Sequence, residues 1–120
     1  MTPKEIDKLE AGPELDALVA EHVMGWRWAV AECEAPSLND GRCQKPNGAF
    51  VLNFKPSRDI AAAWQAVEKF NNYDWKLESH GEGETFTIYK DGTHYSGDGA
   101  GAPLAICRAA LKAMLTSSSR

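Results

Sequence analysis

Residues 73–96 read YDWKLESHGEGETFTIYKDGTHYS, and the two-residue period of this stretch decides the fold class. Tyr73 to Glu78 alternates strictly, as a strand with one buried and one solvated face does. His80-Gly81-Glu82-Gly83 forms a hairpin loop. Thr85 to Lys90 alternates again, with Phe86 and Ile88 directed inward. Asp91-Gly92 suits a two-residue hairpin turn, which needs positive φ at both positions. Thr93 to Ser96 then returns as a short strand. Strands joined by such short connections pair antiparallel.

On the N-terminal side lies Lys55–Phe70, KPSRDIAAAWQAVEKF. Ile60, Trp64, Val67 and Phe70 recur at helical spacing, Ser57 or Asp59 supplies the N-cap, and Asn71-Asn72 ends the helix. Trp26 to Ala31 reads as a strand with Trp26, Trp28 and Val30 on one side. Glu34 to Gly48 reads as loop, and Ala49 to Phe54 as a strand with Phe50, Leu52 and Phe54 together. At the start, Thr2-Pro3-Lys4-Glu5 is a capping-box pattern. After Ala11-Gly12-Pro13 a helix buries Leu15, Leu18, Val19 and Val23, and Gly25 closes it. At the other end, Gly97-Asp98-Gly99-Ala100-Gly101 reads as a flexible link. A helix from Pro103 follows, with Leu104, Cys107, Leu111 and Met114 or Leu115 on its core face. The expectation is an α+β domain over residues 1–116 with a disordered tail at 117–120. It has an antiparallel sheet of four to five strands packed with about three helices, as a layered α/β/α sandwich.

Composition narrows the function. The chain has 120 residues and a net charge of −4, a poor start for nucleic-acid binding, which needs clustered Lys and Arg. No apolar run approaches the ~18 residues of a membrane span, and the charged start MTPKEIDKLE is unlike a signal peptide. The expected setting is the cytoplasm of a host bacterium, with no nucleic-acid or membrane partner. Cys33, Cys43 and Cys107 are odd in number and lack a C-x-x-C pair, so reduced, free thiols are expected.

Three anchors occur in order: GPELDALVAEHVMGW near the start, PSRDIAAAWQAVEKF in the middle and APLAICRAALKAML at the end. Together they resemble the phage ABA sandwich domain family, small proteins of tailed phages and prophages. The resemblance runs from Thr2 to Leu115 and implies helices and sheet in layers. It carries no established activity and no catalytic residues. The loop from Glu34 to Gly48 departs from the family pattern.

One charge feature stands out. Arg42, Lys45, Lys55 and Arg58 are the only charged residues from Gly41 to Arg58, so this segment carries +4 inside an acidic chain. Helix N-termini attract anions, and neighbouring cations add charge-assisted bonds. Lys55, Ser57 and Arg58, with Arg42 and Lys45, are therefore the candidate site for a phosphate-bearing small molecule. Trp26 or Trp28 could line its pocket. The structural alternative is a Ser57 cap among solvated cations. Trp64 and Trp75 are read as core or subunit interface. The Arg108–Lys112 pair stands isolated.

Catalytic patterns are sparse. His22, His80 and His94 stand in no paired arrangement, and Cys33, Cys43 and a His match no standard zinc spacing. The expectation is therefore a protein that is not an enzyme and uses no cofactor and no metal. It is a phage accessory protein that binds, and sequesters, a small anionic ligand such as a nucleotide-type host immune signal. The alternative is a protein–protein interaction or virion-assembly accessory module. A homo-oligomer is expected in either case.

Overall fold

The computed structural model describes residues 2–28, 43–51 and 54–115. Helix α1 spans Pro3–Asp7 and α2 spans Pro13–His22; α3 spans Ile60–Val67, continuing as a 3-10 turn over Glu68–Phe70; α4 spans Ala102–Leu115. Strands β1 (Arg27–Trp28), β2 (Cys43–Gln44) and β3 (Phe50–Val51) form one small antiparallel sheet. Strands β4 (Asp74–His80), β5 (Gly83–Lys90) and β6 (Thr93–Gly99) form another. Cys33, Arg42 and residues 117–120 lie outside the described residues.

The fold is α+β, but the expected single sheet of four to five strands with about three helices is corrected. The principal sheet has three strands, the two-residue strands β1–β3 pair separately, and the described residues include four α-helices. The fourth helix is the short α1, which the Thr2 capping box starts and which ends at Asp7, before Pro13 opens α2. Cys43–Gln44, expected as loop, pairs with both Arg27–Trp28 and Phe50–Val51.

The hairpin reading holds in the principal sheet. His80 pairs with Gly83 across Gly81-Glu82, and Lys90 pairs with Thr93 across Asp91-Gly92. Asp91 has φ 53° and Gly92 φ 81°, as a primed two-residue turn requires. One sheet face carries Trp75, Leu77, Phe86, Ile88, Tyr95, Gly97 and Gly99 and meets the helices. The face bearing Asp74, Lys76, Glu78, Tyr89, His94 and Asp98 is exposed.

The core gathers Phe54, Phe70, Phe86 and Ile88 with Ile6, Leu15, Val19, Ile106 and Leu111. Trp64 is half-buried and packs 5.2 Å from Trp75, whose ring lies 5.3 Å from Phe86. Ile60, placed by spacing on the buried face, is 41% exposed at the first turn of α3. Cys107 is a buried free thiol; burial pushes its pKa up, and the Asp16 charge adds to the effect.

The run from Gly97 to Gly101, expected as a flexible link, is corrected as well: its first half belongs to β6 and lies directly under α4. A Cβ on Gly97 would fall 2.5 Å from both the Ala105 carbonyl oxygen and the Ala109 nitrogen. A Cβ on Gly99 would come 2.8 Å from the Ala105 nitrogen. Strand glycines and helix alanines thus let two backbones approach closely. Arg108 and Lys112 then reach over the strand edge, donating to Asp98 O at 2.6 Å and Ser96 O at 2.7 Å. Arg108 also donates to Leu9 O at 2.6 Å, and Lys112 pairs with Asp7 at 2.7 Å, which fastens the α1 region to α4.

Gly97→Ala forces backbone apart at this contact. It should cost about 2–3 kcal/mol, in the range of an overpacked core site, read as a lowered urea midpoint with unchanged slope.

Candidate functional site

The turn before α3 holds Ser57 and Arg58, the centre of the expected anion site. Lys55 O accepts from Arg58 N at 2.9 Å and from Asp59 N at 2.8 Å, closing the turn. Of the two capping candidates, Asp59 caps α3, accepting from Ala61 N at 3.2 Å. Ser57 is buried and faces a different helix. Its hydroxyl accepts from Gly12 N at 2.9 Å, the N–H of the residue that caps α2. The same hydroxyl donates to Asp16 Oδ1 at 2.7 Å, and Ser57 N donates to that oxygen at 2.8 Å.

Asp16 lies near the start of α2 with no solvent exposure. Its second oxygen, Oδ2, receives Arg58 Nη2 at 2.6 Å and Nε at 3.2 Å. The carboxylate thus takes four hydrogen bonds from two adjacent residues and also lies where the α2 dipole favours negative charge. The turn does collect an anion, and that anion is the chain's own Asp16. Lys55 is half-buried beside it.

Two of the other candidates, Trp26 and Lys45, lie at a second place. Helix α2 ends at His22, and Gly25 turns the chain with φ 75° so that Trp26 N reaches back to Ala20 O at 2.8 Å. The Trp26 ring meets buried Phe54 edge-on, with centroids 5.0 Å apart. Lys45 opens the turn between β2 and β3. Its O accepts from Gly48 N at 2.9 Å, and its N donates to Ala49 O at 2.9 Å. From this turn Lys45 Nζ lies 5.6 Å from the Trp26 ring centre, a cation–π placement.

Trp26 and Lys45 form one side of an open cleft of about 520 Å³, within the range of small-molecule sites. The other side is the end of α3 and its 3-10 extension, which bring Gln65, Glu68, Lys69 and Asn71 to it; Met24 completes the lining. Positions 65, 68 and 69 share one helix face by their three- and four-residue spacing. Among the described residues the cleft therefore offers an aromatic ring, two ammonium groups, two carboxamides and one carboxylate. Among the expected residues the structure brings Trp26 and Lys45 together here, and Ser57, Arg58 and Lys55 together at Asp16. Trp28 is in β1, and Arg42 lies outside the described residues. Sequence reading missed Gln65, Lys69 and Asn71. Their only signal is the polar last turn of an amphipathic helix, which ordinarily means a solvated surface.

The Arg58 ion pair changes a stability expectation. A solvated Arg58 could be truncated at almost no cost. The observed Arg58 side chain is 35% exposed yet pairs with a fully buried carboxylate. Arg58→Ala should therefore cost about 2–3 kcal/mol, because Asp16 loses the one cation paired with it among the described residues. Lys55→Ala should cost less than about 0.5 kcal/mol. Denaturant unfolding of the two variants measures the contrast.

Comparison with known proteins agrees with this architecture. No curated protein matches the sequence. A crystal structure of a phage protein from Bacillus cereus ATCC 14579 superposes with a TM-score of 0.63 at 23% identity, covering 92% of this chain and 85% of that one. The family model for the phage ABA sandwich domain matches residues 17–111, a span that contains α3, the whole principal sheet, the cleft and all but the last turn of α4, and the chain belongs to that family.

Proposed function

We propose that this phage-family protein is a non-enzymatic accessory protein that binds a small, base-bearing anion of nucleotide type in the cleft beside Trp26. The observation that carries the reading is Lys45 over the Trp26 ring with Lys69 lining the same cleft of about 520 Å³. A planar base can stack on the indole, where Lys45 now sits, and the released ammonium can then meet a phosphate. Gln65 and Asn71 have both donors and acceptors for a base edge, and Glu68 can accept from an amino or hydroxyl group. Among the described residues Glu68 is the one carboxylate on this lining and no His or Cys joins it, which favours capture over turnover. Sequestering a nucleotide-type immune signal in the host cytosol is the role that fits such capture. No helix among the described residues is long and apolar enough to cross a membrane.

Calorimetric titration with cyclic nucleotides, ADP-ribose derivatives and inorganic phosphate tests the reading. A base-bearing phosphate should bind, and phosphate alone should bind more weakly. Lys45→Ala/Lys69→Ala should weaken binding by at least about tenfold, as lost charge-assisted bonds do, and added salt should shrink the difference. Lys55→Ala should bind as wild type does. A nucleotide that binds equally well to the Lys45→Ala/Lys69→Ala variant would place the site elsewhere, and failure of every nucleotide to bind would end the nucleotide reading.

A further inference from the structure

The two edges of the principal sheet are treated differently. On the β6 side, the Lys112 ammonium and Arg108 guanidinium occupy the carbonyls of Ser96 and Asp98. On the β4 side, Asp74–His80 pairs with β5 along its whole length, and no backbone hydrogen bond reaches its outer edge among the described residues. An uncovered seven-residue edge strand is a template for another strand.

The register shows which groups are free. In a two-residue hairpin the closing pair exchanges both hydrogen bonds, and bonded and non-bonded pairs then alternate along the ladder. With His80 and Gly83 as the closing pair, Glu78, Lys76 and Asp74 bond inward to β5. The N–H and C=O groups of Trp75, Leu77 and Ser79 therefore point outward. The same count from Lys90–Thr93 turns Ser96 and Asp98 outward on β6, where Lys112 and Arg108 indeed take their carbonyls.

The sequence of this edge, DWKLESH, is self-complementary about Leu77. Placed antiparallel to a second copy with Leu77 opposite Leu77, it sets Lys76 against Glu78 twice and Asp74 against His80 twice. Trp75 comes opposite the small Ser79, again twice. All outward backbone groups find partners in this register: the Leu77 pair and both Trp75–Ser79 pairs are the hydrogen-bonded ones. Lys76 and Glu78 lie on the solvated face, paired with each other along the strand at 3.5 Å, and their side chains stay 52% and 56% exposed, so the same two charges can pair again across an antiparallel copy. Trp75, 42% exposed, is the apolar surface at this edge that pairing would cover. A register shifted by two residues sets Lys76 against Lys76 or Glu78 against Glu78, and like charges directly opposite are unfavourable.

We propose that two copies of this chain join through β4, antiparallel and centred on Leu77, making one continuous six-stranded sheet. The pairing is independent of the Trp26 cleft, which involves no β4 residue.

Sedimentation equilibrium up to about 1 mM, where even weak association is populated, tests this, with circular dichroism confirming each variant's fold. Wild type should dimerise. Lys76→Glu and Glu78→Lys, which each set like charges opposite at two symmetric places, should weaken the dimer about tenfold or more. The Lys76→Glu/Glu78→Lys double variant restores opposite pairing and should return to within about threefold of wild type. Ser79→Pro removes an outward N–H without touching the β4–β5 ladder and should weaken the dimer similarly. A wild type that stays monomeric overturns the proposal. So does a dimer insensitive to these changes, or a charge-swapped double variant no tighter than the single ones; if Ser79→Pro fails to fold, the charge set still decides.

Discussion

A carboxylate with no exposure to water governs how this chain is assembled. Removing an ionised group from solvent costs several kcal/mol unless partners replace the water. Asp16 therefore demands donors, and Ser57 and Arg58 supply them from 41 and 42 positions away. The bonds tie the start of α2 to the turn that launches α3, and the Ser57 hydroxyl passes the restraint on to Gly12 at the α2 cap. With these two helix starts joined, the far ends follow from rigid helix geometry. Helix α2 delivers Trp26, and α3 delivers Gln65 and Lys69. The cleft stands between those ends, so its shape depends on an ion pair that does not line it.

Helix α4 plays the corresponding part for the sheet. Its alanines sit against Gly97 and Gly99, and its two cations reach past β6 to the α1 region. One consequence is a sheet with one protected edge and, among the described residues, one open edge. The protein thus has two surfaces of different character, a mixed-charge aromatic cleft and a strand with a palindromic charge pattern. A binding protein that pairs through its sheet would hold two clefts in one particle, and the two properties could operate together without sharing a residue.

Local signals in the sequence are legible where the structure is itself local. The Asp91-Gly92 turn, the alternation from Tyr73 to Lys90 and the helix from Ile60 depend on neighbours a few residues away. The apolar helix faces at Leu15–Val19 and Cys107–Leu111 do too. The misreadings share the opposite cause. The excess of cations around Ser57 is a sum over a short window, while Asp16, the carboxylate that pairs with Arg58, lies far outside that window. Gly97-Asp98-Gly99 looked like a connector because nothing in it announces that Ala105 and Ala109 press on its face. Arg108 and Lys112 look isolated in the sequence because their acceptors are backbone carbonyls and, for Lys112, the Asp7 carboxylate more than a hundred positions away. The lower cleft wall was hidden for the same reason: Gln65 and Lys69 are ordinary surface residues until a tryptophan from another element faces them.

The central claim, that the Ser57–Arg58 turn exists to hold Asp16, is tested most directly by a double-mutant cycle. Wild type, Asp16→Asn, Arg58→Met and the combined variant would be unfolded in urea, and the coupling free energy taken from the four stabilities. The account predicts a coupling of about 2 kcal/mol, with the combined variant clearly more stable than the sum of the single losses implies. Strictly additive losses, with coupling below about 0.3 kcal/mol, would show two residues that contribute separately and would contradict it.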